Sequence, residues 1–179
     1  MPSSHCVPNL AEISLYRYLT YVFKLICMDF IIKATRQVRL NCLDMISGLT
    51  TGQLHAIPEG FNNNLIWHLG HMFVSEQLLC YANSHTPLLI PESYLPLFRK
   101  GTSPRDWKTP MDIQELIRYM NLTSEALEQD YANKRFGLYE PYTTSAGVTL
   151  TTVNDAIAYS YGHENLHYGM MMSLIKLVK

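Results

Sequence analysis

The chain predicts an all-α protein, an antiparallel four-helix bundle with one long crossover connection. Three observations carry that expectation. Four stretches space their apolar residues at helical intervals, and no segment sustains strand alternation. The composition, 47% hydrophobic and 16% charged over 179 residues, suits one domain with a real core.

The elements follow in order. From Leu10 to Ile32 the sequence is apolar and aromatic, but Glu12, Arg17, Lys24 and Asp29 interrupt it. Its longest uncharged run falls far short of the roughly 20 residues needed to cross a bilayer. No small-residue cleavage site follows a clean apolar stretch, so it does not read as a secretion signal. Residues 1–27 are expected to form an N-terminal extension outside the domain, upstream sequence joined by a mis-assigned start, with the bundle spanning 28–179. The first helix opens at Met28 and places Ile31, Ala34, Val38, Met45 and Leu49 on one stripe, ending near Gly48 to Gly52.

The second helix is expected over about 63–82, with Asn62, Asn63 and Asn64 as candidate caps. Residues 83–108 hold Pro87, Pro91, Pro96, Pro104 and Gly101 and read as a long loop, the natural crossover. The third helix begins at Thr109-Pro110-Met111-Asp112, with Thr109 as the expected cap, and buries Ile113, Leu116, Ile117, Met120, Leu127 and Tyr131. Around Ser145-Ala146-Gly147 a short hairpin is expected. The fourth helix starts at Thr152, with Asp155 completing a capping box, and runs to about Leu177.

Charge and cysteines exclude several classes. The net charge is −1 and no Lys/Arg run appears, so neither nucleic acid nor a membrane surface is an expected partner. Cys6, Cys27, Cys42 and Cys80 form no C-x-x-C pair and read as free thiols in a reducing, cytoplasmic setting.

The histidines carry the functional argument. His163-Glu164-Asn165-Leu166-His167 lies on the last helix, where two imidazoles four residues apart project from one face. A 4-3 seam of Ala156, Ser160, His163, His167, Met170, Leu174 and Leu177 turns both histidines inward. On the second helix the same test gives Trp67, His71, Val74, Leu78 and Tyr81, so His71 faces the bundle interior and His68 lies toward the edge of the stripe. Several imidazoles in a dry interior need a shared partner, because charging them is costly and neutral ones each require a donor or acceptor. A divalent ion on His71, His163 and His167 satisfies all three. The same string reads H-E-x-x-H, the zinc-protease pattern. That reading fails on its third ligand: the residues after His167 contain no His, Asp, Glu or Cys. Glu164 is then expected to be a solvated helix charge at the margin of the seam.

Asn64-Leu65-Ile66-Trp67-His68-Leu69-Gly70-His71 and His163-Glu164-Asn165-Leu166-His167-Tyr168-Gly169 together resemble the two signatures of the DinB-like family, N-x-x-W-h-x-x-H and H-x-x-x-H-x-G. The resemblance covers about Met28 to Lys179. It implies an antiparallel four-helix bundle with a crossover, often a homodimer, and a three-histidine site for zinc, nickel or a similar divalent ion. The ligands it implies are His71, His163 and His167; His68 occupies a position the family does not use as a ligand. Some members resemble transferases or isomerases that use a low-molecular-weight thiol. The expected function is therefore a divalent-metal-dependent enzyme acting on a small electrophile, with a non-catalytic metal-binding stress-response or dimeric interaction protein as the alternative. No catalytic residue is assigned; Tyr159 and Tyr161 are read as core.

Overall fold

The computed structural model describes residues 10–179; residues 1–9, with His5, Cys6 and the start of the expected extension, lie outside it. Helix α1 spans Leu10–Ile46 and passes residue 28 without a break; among its described side chains Met28 and Ile32 join an apolar core cluster. The short α2 (Thr51–His55), which has no periodic signal in the sequence, is held by a capping box between Thr50 and Gln53. Helix α3 (Leu65–Glu76) continues through one wide π-helical turn, Gln77–Tyr81. The 83–108 link contains one short helix, α4 (Leu95–Phe98), among 3₁₀ turns. Helix α5 spans Ile113–Ala132, strands β1 (Tyr142–Thr143) and β2 (Thr149–Leu150) pair antiparallel in the expected hairpin, and α6 spans Val153–Val178.

The caps correct one expectation. Asp112, whose carboxylate accepts from the Gln114 N–H, begins α5, so Thr109 and Pro110 lie ahead of the helix. Thr152 and Asp155 form the capping box expected for α6.

Two apolar clusters mark the ends of the bundle. One gathers Ile46, Leu65, Leu116 and Leu174; the other gathers Met28, Tyr81, Leu127 and Ala156. Their order along each helix means that α1 and α6 run one way while α3 and α5 run the other. Helix α3 is therefore followed by a parallel neighbour, and the 83–108 link is the crossover that this requires. Between the two clusters each helix contributes polar residues: Arg39 from α1, Glu76 from α3, Thr123 and Ser124 from α5, and Glu164 from α6.

The buried face of α6 differs from the expected seam. Ser160, Glu164, His167, Met171 and Leu174 are buried, whereas Met170 and Leu177 are exposed and His163 is half-buried. The 4-3 spacing holds, but its phase is displaced by one residue toward Glu164. The cause lies on α1. The Arg39 guanidinium donates to both Glu164 carboxylate oxygens and to Glu76 Oε2 at 2.7 Å, and also to the Thr123 and Ser124 hydroxyls. A fully paired carboxylate enters the core where an unpaired one would be excluded. Glu164 is thus a buried structural group, not the solvated charge that its residue type suggests.

Candidate metal centre

The N-x-x-W segment begins as a helix cap. The Asn64 side chain accepts from the Trp67 N–H at 2.8 Å and donates to the His55 carbonyl at 3.1 Å, which fixes both the start and the rotation of α3. One turn later α3 presents His68 and His71 to α6. Helix α6 runs antiparallel to it and presents His163 and His167.

One ligand-capable atom from each of His71, His163 and His167 lies within 4.8 Å of the others. Nε2 of His163 and Nε2 of His167 are 3.1 Å apart. That separation is close to the roughly 3.3 Å expected between two nitrogens sharing a tetrahedral zinc at about 2.05 Å. The structure thus brings together the three residues expected from the sequence.

The remaining nitrogens of His71 and His167 are held. The His71 Nδ1–H donates to the Phe98 carbonyl at 2.5 Å, leaving the Nε2 lone pair for a ligand role. Gly70 makes this contact possible: the Phe98 ring lies against its Cα, where any Cβ would collide with it. The Trp67 ring stacks on His71, with centroids 4.4 Å apart and planes at 11°, and shields one face of the imidazole. Tyr159 stacks on His163 at 6.3 Å.

His68 departs from its expected place. It is almost fully buried rather than at the edge of the stripe, and its Nδ1 sits 2.8 Å from Nδ1 of His167. With Nε2 of His167 turned to the cluster, Nδ1–H of His167 donates to His68, which places the His68 proton on Nε2. His68 is therefore placed to orient the His167 imidazole. Its own helix gives no hint of this, because its partner comes from α6.

Burial lowers the pKa of all four imidazoles. It brings His68 down to about 4, with His71 repelling as well, and His71 down to about 4 despite the Phe98 hydrogen bond. His167 falls to about 2, through burial first and then repulsion from its three neighbours, and His163 also moves down by burial. The cluster is neutral at physiological pH, with its lone pairs available. This donor set fits a divalent ion of the zinc or nickel type. Carboxylates play no part here. Glu164, next to His163 in sequence, directs both oxygens at Arg39.

A cavity of about 320 Å³ opens over the cluster, with His71, His163, Ser75 and Tyr159 in its lining. Tyr159 packs against the second apolar cluster and also lines the cavity, while Tyr161 packs against the first, as expected. His55 and His85 lie apart from the cluster; His85 faces Glu140 on the surface.

Among the described residues no helix is long and apolar enough to cross a membrane. Comparison with curated proteins returned no match. The sequence model of the DinB superfamily matches residues 34–171, a span that contains both histidine motifs and the core of the bundle. With that match over most of its length, the chain belongs to the DinB superfamily.

Proposed function

We propose that the chain is a divalent-metal-dependent enzyme that acts on a small electrophilic molecule, by transfer of a thiol or by thiol-assisted isomerisation. The observation that carries this reading is the convergence of three neutral, desolvated imidazoles, two of which, His71 and His163, line an accessible cavity. Three protein ligands leave a coordination position for an exogenous group, as catalytic sites do and closed structural sites do not. When bound, the ion would acidify a thiol or water at that position.

The protein's own groups do the rest. Phe98 and His68 hold the two most buried ligands in the required tautomers, and Trp67 keeps water from His71. Glu164 has no free oxygen with which to serve as a base. Tyr159 and Ser75 are the hydroxyls nearest the cluster in the cavity lining and are the groups able to move a proton there.

Metal analysis of untagged protein tests the site, and turnover of an electrophilic model substrate with a panel of biological thiols, with and without chelator, tests the reaction. Metal near one equivalent and chelator-sensitive turnover are expected; a metal content near zero, unchanged by His71→Ala, defeats the reading. The rival is that the ion serves only to cross-link α3 and α6. In that case metal raises Tm by mass action while no thiol or substrate does.

We also propose a homodimer in the cytoplasm. Leu166, Met172 and Leu177 are exposed on α6, and the free thiols of Cys27, Cys42 and Cys80 suit a reducing compartment. Sedimentation at equilibrium decides the first point: a monomer mass at micromolar concentration would exclude the dimer.

A further inference from the structure

Arg99 and Lys100 extend the reading of the site to the kind of molecule it takes. They follow Phe98 directly, and Phe98 is anchored twice. Its ring is fully buried against Gly70, and its carbonyl accepts the His71 N–H. The turn that carries the two cations is closed by Thr102, whose N–H and hydroxyl both donate to the Arg99 carbonyl. Arg99 and Lys100 are thus tied to the metal ligand through one residue of backbone, and both line the cavity.

Charge in the cavity is one-sided. Neither cation has an ion-pair partner among the described residues. No Asp or Glu lines the cavity: Glu76 and Glu164 are sealed in the interior against Arg39, and Glu140, whose N–H donates to the carbonyl of the lining residue Asn83, faces His85 on the surface. A divalent ion on three neutral imidazoles keeps its full charge, so its floor is cationic as well. The lining also holds the apolar side chains of Leu78 and Leu79 and, from the hairpin, Tyr142 and Thr144.

We infer that the site takes an anionic small molecule: a soft donor at the metal, a carboxylate held by Arg99 and Lys100, and an apolar part against Leu78 and Leu79. The guanidinium offers the paired N–H geometry that a carboxylate accepts, and Lys100 adds a second charge. This rests on the metal-site reading above and goes further by naming the charge and polarity of the ligand.

The test uses the full chain loaded with cobalt(II), whose thiolate charge-transfer band reports binding directly. ω-Mercaptocarboxylates of increasing length are titrated beside their neutral primary amides, into the wild type and into the Arg99→Gln/Lys100→Gln variant. At the chain length that spans the cavity, the acid is expected to bind roughly tenfold more tightly than its amide, a preference that shrinks with salt. In the variant the gap closes while the amide affinity stays as it was. Equal affinity for acid and amide at every length, or a preference that survives the double substitution, overturns the inference while leaving the metal site standing. If cobalt does not bind at all, the metal reading fails, and this inference with it.

Discussion

Two polar clusters sit side by side in the same bundle interior, and they solve the problem of burial in opposite ways. Arg39, Glu76 and Glu164 form an ionic layer in which protein groups satisfy one another: the guanidinium reaches two carboxylates and two hydroxyls. His68, His71, His163 and His167 lie close by on α3 and α6, yet the partners of His71 and His167 hold their outer nitrogens and leave the inner ones turned to the cluster. The first cluster is complete without a ligand. The second becomes complete when something enters it. Helix α6 serves both through adjacent residues, His163 and Glu164, which point to different partners about 100° apart.

Removing a partner from the closed layer should be the most damaging change. Arg39→Met strands two buried carboxylates and is expected to cost about 3–5 kcal/mol in urea denaturation. Replacing the whole layer with apolar residues (Arg39→Met, Glu76→Leu, Glu164→Leu) should restore most of that loss, since nothing is left unpaired. If the triple variant is as unstable as the single one, the layer has a role beyond mutual satisfaction.

Acid separates the clusters next. In metal-free protein the folded pKa values of His68 and His71, about 4, lie below the unfolded value near 6.5. The unfolded chain binds more protons between those limits. The stability linked to neutral imidazoles is therefore complete above pH 6.5 and lost as pH falls toward 4, by up to about 1.4 kcal/mol per pH unit for each imidazole. Burial pushes Glu76 the other way, up to about 7, so its contribution is present below about 4.5 and fades as pH rises through 7. Measuring stability against pH in Glu76→Gln isolates the imidazole slope. A flat profile between pH 6.5 and 4 would contradict the burial of the histidines.

Smaller effects should fall on ligand holding. His68→Ala frees His167, and Gly70→Ala drives Phe98 away from His71. Each is expected to weaken metal binding about 10–100-fold in competition with a chromophoric chelator. The control is Arg36→Gln, whose partners Glu125 and Glu128 are exposed at 3.5 and 3.6 Å. It should change stability by about 0.5 kcal/mol or less and leave metal affinity untouched.

How much of this was legible in the sequence depends on where each partner lies. Asn64, Thr152 and Asp155 announce helix starts because a cap bonds to its own first turn. The three-histidine cluster was legible because helical periodicity places His71, His163 and His167 on inward faces and the two motifs resemble one family's signatures. The phase of α6 was not, because hydropathy treats Glu164 as a surface residue and its partner Arg39 lies 125 positions away. His68 escaped for the same reason, as a ring whose meaning comes entirely from His167.

The sequence by itself thus determined the helices, most of their caps, the crossover and the three converging imidazoles, since each rests on local spacing or on interactions within a turn. Only the tertiary structure decided that Glu164 belongs to the core, that His68 and Phe98 bond to His167 and His71, and that Arg99 and Lys100 line the cavity. Each of those depends on side chains from different elements meeting across the bundle, where burial removes water as a competitor and an unsatisfied polar atom becomes expensive. No local pattern encodes which distant residue will supply the missing partner.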